Sequence, residues 1–537
     1  MLNRYAGRRF SWFRALIVLA VVAALSIGAW YRFSVWDDQK QAAASGEPWY
    51  GGYVDVTATP MHRFESDGES STHHAVLSFV VAEDASTCAP RWGGAYSLDE
   101  ASTQLDLDRR IERLRGTGHD VVVSFGGQAN TDLGDACGST ADLVSAYSRV
   151  IDRYELGTID LDIEGNALDD AEAIVRRAEA VHELQQGALG EGGRLAVWLT
   201  LPVGVDGLTT EGLHVVETFL AKGVDITGVN AMTMNFGGLD GSLMQAGVTA
   251  LKNLHEQLQS AYRRAGDPLG DSTVWRKIGV TPMIGQTDTS SEIFTLEDAI
   301  GLNDFARQAG LGRVSMWSAN RDRTCGPNYP DVTVVSDSCS GIDQGDRSFA
   351  QLLSAGFSGS PVASPHQEAT SEPTALPTDD PETSPYPIWS EDSAFLAGNK
   401  VVWHGNVYQA KWWTQGDIPD DPVAEEWETP WVLVGPVLEG ESPVAETDVP
   451  EDLVPDWDPS VAYTAGEHVL LDGTVYRARW WTQAESPNAS FNNPGASPWV
   501  PLNSQELQKL IDSGDAAGGE GERAVPSMGA CGPFLGI

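Results

Sequence analysis

The stretch Gly157-Thr158-Ile159-Asp160-Leu161-Asp162-Ile163-Glu164 alternates branched apolar residues with acids. That alternation predicts a short buried β-strand, because side chains two apart along a strand point to the same face. Asp160, Asp162 and Glu164 then form one column of carboxylates, with neighbours roughly 7 Å apart. Ile159, Leu161 and Ile163 fill the other face. Three like charges on a buried face oppose one another's ionisation, so at least one of them holds its proton to unusually high pH. A protonated carboxyl beside ionised ones is the equipment of a general acid. A strand edge of solvated acids, or a carboxylate metal site, is the plainer reading of the same residues.

Outward from this strand the chain alternates strand and helix. Tyr53–Val56 reads as the first strand, Ala75–Val81 as the second and Asp120–Gly127 as the third. The acid strand is the fourth, Leu195–Pro202 the fifth, Ile226–Met234 the sixth, Ile278–Ile284 the seventh and Val314–Trp317 the eighth. Helices are expected over 105–115, 143–154, 169–186, 243–265 and 296–309. Eight strands with intervening helices over roughly 300 residues predict an α/β fold, a (β/α)8 TIM barrel. Active sites of such barrels lie at the C-terminal strand ends, where Gly126, Glu164, Asn235 and Trp317 fall.

The chain has 537 residues, too many for one domain, and a formal charge of −42 from 76 acids and 34 bases. That balance argues against nucleic acid and anionic membrane surfaces as partners, and leaves a neutral polymer open. At the N-terminus, Arg4, Arg8, Arg9 and Arg14 precede an uncharged run from Ala15 to Tyr31. Residues 1–32 read as an export signal, either a cleaved signal peptide or a membrane anchor, with the uncleaved anchor preferred on length. The rest of the chain is then expected outside the cell, anchored or secreted, with residues 33–48 as a polar tether. Outside the cytoplasm cysteines pair. Cys325 with Cys339, and Cys88 with Cys137, are the expected disulfides, which leaves Cys531 over. No Cys/His spacing suggests a zinc site.

Residues 358–387 are rich in Pro, Ser, Thr and acids and read as a linker. Beyond them is an internal repeat. Trp389, Phe395, Gly398, Gly405, Tyr408, Trp412, Trp413 and Trp431 recur 68 residues later (457 − 389 = 68) as Trp457, Tyr463, Gly466, Gly473, Tyr476, Trp480, Trp481 and Trp499. Two small all-β modules are expected, at 388–436 and 456–502, joined by an acidic segment at 437–455 and followed by a Gly-rich tail at 503–537. The barrel itself is assigned to 49–357. Trp389 and Trp431 read as core. Adjacent Trp412 and Trp413 point to opposite faces if they lie on a strand, so at least one ring of such a pair is exposed for stacking.

The acid strand resembles the D-x-x-D-x-D-x-E signature of glycoside hydrolase family 18, the chitinase family, with Gly157 in place of the first Asp. Ser124-Phe125-Gly126-Gly127 resembles its S-x-G-G motif, and Met232-Thr233-Met234-Asn235 its M-x-Y-D motif. Trp317 is similar to its tryptophan floor. The resemblance covers about residues 50–350. The strings Tyr408–Thr414 and Tyr476–Thr482 resemble the chitin-binding modules of carbohydrate-binding families 5 and 12.

These resemblances imply Glu164 as catalytic acid, Asp162 as holder of the substrate acetamido group and Asp160 as the residue that sets the charge of Asp162. Tyr53, Asp55, Gly126, Gly127, Met232, Met234, Asn235, Gln286 and Trp317 would line the substrate cleft. Tyr408, Trp412, Trp413, Tyr476, Trp480 and Trp481 would bind chitin. The implied partner is chitin or another N-acetylglucosamine polysaccharide, acted on by a monomer with no cofactor and no metal. Met234 for Tyr and Asn235 for Asp depart from the motif, and the lost charge implies that Glu164 gives up its proton at a lower pH. Two rival readings are a non-hydrolytic chitin-binding surface protein with a decayed barrel, and an endo-β-N-acetylglucosaminidase.

Overall fold

A computed structural model describes residues 12–513 apart from 67–73, 191, 240, 328, 330–333, 362–377, 424, 444–449, 451–452, 472–473, 488–496 and 503. The chain divides into two compact units, Met1–Glu372 and Pro373–Ile537.

The first unit is a closed barrel of eight parallel strands: β1 (Trp49–Asp55), β2 (His74–Asp84), β3 (Val121–Gly126), β4 (Thr158–Asp162), β5 (Ala196–Gly204), β6 (Gly228–Met232), β7 (Ile278–Thr281) and β8 (Arg313–Val314). Each strand pairs with the next, and β8 pairs with β1 to close the ring. Strands β3 and β4 are buried on both faces, as a parallel sheet wrapped by helices requires. Odd residues of β4 pack outward against the helices. Thr158, Asp160 and Asp162 point inward, so the alternation seen in the sequence is the alternation of the barrel wall.

Expected helices occur at Leu107–Arg115, Thr140–Arg153, Ala171–Gly190, Leu243–Arg264 and Leu296–Ala309. A further helix, Thr210–Ala221, connects β5 to β6. A hairpin strand, Thr87–Trp92, folds back on the end of β2. It carries Cys88, which is bonded to Cys137, and Cys325 is bonded to Cys339. Cys531 lies outside the described residues.

The N-terminal region differs from expectation. A helix runs from Trp12 to Ala44, so much of the segment read as a tether continues it. Among the described residues no helix is long and apolar enough to cross a membrane, and the transmembrane anchor finds no support there. The helix passes beyond the apolar run into Arg32, Asp37, Asp38 and Lys40. Its far end packs on the barrel, where Asp38 accepts the backbone N–H groups of Ser272 and Thr273 at 2.8 and 3.0 Å.

The second unit contains the repeat. In the first copy, Lys400–Trp403, Asn406–Ala410 and Trp431–Pro436 form a three-stranded antiparallel sheet. His468–Leu471, Thr474–Ala478 and Trp499–Pro501 form its counterpart. The cores match residue for residue at the 68-residue offset: Phe395, Val401, Tyr408, Ala410 and Trp431 against Tyr463, Val469, Tyr476, Ala478 and Trp499. Even the Trp indole bonds repeat, Trp431 to the Asp417 carbonyl and Trp499 to the Glu485 carbonyl, each at 2.8 Å.

Candidate active site

Asp160 is the floor of the site, fully buried in the barrel interior. Its Oδ2 accepts from Tyr53 of β1 at 3.0 Å and from Ser124 of β3 at 2.7 Å. Its Oδ1 accepts from Thr200 of β5 at 2.7 Å and from the Arg313 guanidinium of β8 at 2.5 Å. Asn230 of β6 extends the network to Tyr53, Thr200 and Thr281. The layer around Asp160 is thus polar and drawn from seven strands, and every hydrogen bond in it is internal. Sequence reading missed Arg313. The signal was present, because a lone cation in the apolar run Leu311–Trp317 must find a buried partner.

Asp162 is one step above, also buried, and its Oδ1 has no hydrogen-bond partner. Burial, then Glu164 and Asp160, push its carboxyl well above the usual range. Glu164 is above the end of β4 and half-buried. Burial, then the charge of Asp288, raise it to about 7, against a lowering hydrogen bond from the Gln128 backbone. The column therefore holds a proton near neutral pH, shared between Asp162 and Glu164 above an ion-paired Asp160.

Gly126 and Gly127 allow this packing. Both have positive φ, +101° and +85°. A Cβ on Gly126 would meet the Asp162 carbonyl at 2.2 Å, and one on Gly127 would meet the Phe79 ring at 2.9 Å. The Gly127 N–H donates to the Asp162 carbonyl at 3.0 Å. The S-x-G-G pattern thus supplies a hydroxyl to Asp160 and a backbone turn that fits against Asp162.

The remaining cleft candidates divide. Trp317 is half-buried, stacks on Phe79 with centroids 5.4 Å apart and meets Tyr53 edge-on. Met232 is half-buried and Met234 buried, while Asn235 has φ +54° and is exposed. Tyr53 is beneath the acids rather than at the surface of the cleft. Asp55 turns its Oδ1 to the Thr57 amide and hydroxyl at 2.8 and 2.7 Å. Gln286 is buried and donates to the carbonyls of its own loop at Thr287 and Ser290. Among the described residues no group of three or more His, Cys, Asp or Glu side chains is placed to hold a metal ion.

In the repeats, Tyr408 and Tyr476 are core residues, so neither offers a ring face to a ligand. The adjacent tryptophans lie between strands rather than on them, and the opposite-face argument does not apply to them. Both rings of each pair are exposed, Trp412 and Trp413 at 45% each, Trp480 at 44% and Trp481 at 62%. Lys411 and Arg479 are positioned over Trp412 and Trp480.

A graded carboxylate column at the C-terminal end of a (β/α)8 barrel is equipment for acid–base chemistry. Chitinases are among the proteins to which this barrel is similar. The chain is 34% identical over 314 residues to a probable bifunctional chitinase/lysozyme of Escherichia coli (strain K12), covering 56% of this chain and 34% of that protein. It is 32% identical over 307 residues to Endochitinase 11 of Metarhizium anisopliae, covering 55% and 57%. The chain thus spans about a third and just over half of the lengths of these relatives. The catalytic domain of a hyperthermophilic chitinase from Pyrococcus furiosus matches at TM-score 0.50 and 26% identity, covering 58% of this chain and 96% of that one. Residues 456–500 match the model of carbohydrate-binding module family 5/12.

Proposed function

We propose that the protein is an extracellular chitinase. It hydrolyses β-1,4-linked N-acetylglucosamine polymers with retention, and its two C-terminal modules hold it on insoluble chitin. The observation that carries this reading is the graded column: Asp160 ion-paired at the floor, Asp162 buried with an unpartnered oxygen, and Glu164 holding a proton to about pH 7 at the cleft.

In this reading Glu164 gives its proton to the glycosidic oxygen as the bond to the anomeric carbon breaks. The substrate's own acetamido oxygen forms the new bond to that carbon, leaving a cationic oxazolinium. Asp162 accepts the acetamido N–H and stabilises the cation. Family 18 is an exception to the two-carboxylate scheme in this respect. Glu164, now a carboxylate, takes a proton from water as the water oxygen attacks the anomeric carbon, breaking its bond to the acetamido oxygen and regenerating the neutral acetamido group. Two inversions at one carbon give net retention. Trp317 and Phe79 form the stacked floor on which the sugar sits.

The barrel over 49–357 does the chemistry, and linkers at 358–387 and 437–455 carry the modules at 388–436 and 456–502. Two disulfides and a carbohydrate-binding module suit action outside the cell.

The test compares wild type with Glu164→Gln on colloidal chitin and on a soluble chito-oligosaccharide. Turnover is expected to fall by several orders of magnitude while chitin binding is kept. A variant keeping a tenth of wild-type turnover removes Glu164 from the mechanism. A wild type that binds chitin and releases no sugar makes the protein a non-hydrolytic binder. Release of N-glycans in preference to chitin fragments makes it an endo-β-N-acetylglucosaminidase.

A further inference from the structure

The loss of an acid at Asn235 predicts a Glu164 relieved of a neighbouring charge. The structure shows a neighbouring charge restored from another element. The loop between Gln286 and Ile293 reaches over the end of β6, and four hydrogen bonds join the two segments. Asn235 donates from Nδ2 to Asp288 Oδ2 at 3.0 Å, and its Oδ1 accepts the Thr289 N–H at 3.3 Å. Glu292 accepts the N–H groups of Phe236 and Gly238 at 3.0 and 2.7 Å. Arg321 holds the loop from behind through the Gln286 carbonyl.

This geometry makes Asn235 and Asp288 a matched pair. A side chain at 235 must accept from Thr289 and donate to Asp288, and an amide does both. An Asp at 235 would set an acceptor and a like charge against Asp288. We infer that Asp288 is a positioning residue for the proton of Glu164: the carboxylate that the resembled motif carries at the end of β6 stands on the β7 loop in this chain, with Asn235 as its anchor. The inference rests on the proposed glycosidase reading and deepens it.

The surrounding charges fit. The charge of Asp288 acts on Glu164, and Glu164 in turn acts on Asp162 two residues before it. Behind Asp162 are Asp160 with Arg313, and Asp132 from the loop after β3. The Arg321 guanidinium also feels the charge of Asp288 and is itself pushed down to about 10, first by burial. Asp288 is the largest charge influence on Glu164 after burial itself.

The experiment uses the full chain and three variants: Asp288→Asn, Asn235→Asp/Asp288→Asn, and Asp288→Ser in case the Asn variant collapses the loop. Two quantities are read. One is the alkaline limb of kcat/KM on a soluble chito-oligosaccharide. The other is the titration of Glu164 by NMR with carboxyl-labelled glutamate, assigned by its absence in Glu164→Gln. Removing Asp288 is expected to move both about one pH unit lower. Exchanging the two residues is expected to bring both back. An unmoved limb and titration in a folded variant overturn the inference, as does a shift that the exchange fails to reverse. A wild type inactive on the oligomer sinks the proposed function instead, and the NMR titration still decides the role of Asp288.

Discussion

Arg313 donates to Asp160 at 2.5 Å, and neither side chain is reached by solvent. The guanidinium is also boxed by aromatic rings, at 5.0 Å from the Trp49 centroid, 5.3 Å from Tyr53 and 5.5 Å from Trp198. Its charge is therefore spent on one carboxylate and three ring faces. The acid column starts from a compensated base, and the proton that remains is placed where it can reach the cleft.

Replacing Arg313 with Met leaves Asp160 as an uncompensated buried carboxylate. Truncating one partner of a buried pair costs about 3–5 kcal/mol. The Arg313→Met variant is expected to unfold at correspondingly lower urea concentration. Adding Asp160→Asn in the same chain should recover part of that loss, since the charge is then gone. A single variant as stable as wild type would show that the pair contributes nothing to the fold.

Stability should also depend on pH through Glu164. Its carboxyl is raised from an ordinary 4.5 to about 7 in the folded chain. Between these values the folded state binds more protons than the unfolded state, so stability falls as pH rises. The contribution is complete below about 4.5 and lost above about 7, and amounts to about 3 kcal/mol. Urea unfolding at both ends of this window should show wild type losing more stability than Glu164→Gln. Equal losses in the two proteins would place the raised carboxyl elsewhere.

The fold was legible because its signals are periodic. Two-residue alternation marked β4 and apolar runs marked the other strands, and the 68-residue offset reproduced both module cores. What escaped was non-local. Helix Thr210–Ala221 was passed over between two strong strands. Arg313 and Asp288 reach the site from elements more than a hundred residues away from Glu164 in sequence, and no spacing rule connects them to it. Tyr408 and Tyr476 were read as ligand residues because they belong to a conspicuous string, but their strand position turns them into the core. Trp412-Trp413 show the reverse case. Both rings are exposed, because the pair lies in the connection between strands rather than on one.

The exposed tryptophan pairs predict a substrate-dependent defect. Substituting Trp412, Trp413, Trp480 and Trp481 by Ala leaves both module cores intact, since none of the four is buried. Hydrolysis of insoluble chitin should drop at least tenfold, because two linked modules gain from bivalency and lose both contacts at once. Hydrolysis of a soluble oligomer should be unchanged. Binding of wild type should survive high salt, since a neutral ligand offers no ion pairs to screen. Equal losses on both substrates would assign the rings to the barrel's own function.

The Gly126 turn predicts a defect confined to chemistry. At φ +101° an L side chain is already strained, and its Cβ would overlap the Asp162 carbonyl. That carbonyl also accepts the Gly127 N–H, so relief of the clash must move β4 or the turn beside it. Either movement shifts Asp162 relative to Glu164, and displacements near 1 Å cost about a hundredfold in rate. Gly126→Ala is expected to lower kcat on soluble oligomers by that order. Binding to insoluble chitin, proposed here for the modules, should stay at the wild-type level. Gly138, which is exposed with nothing within 4 Å of an added Cβ and no positive φ, serves as the control, and Gly138→Ala should be silent. A Gly126→Ala enzyme with wild-type kcat would mean that the strand end tolerates the displacement, and that the turn serves folding alone.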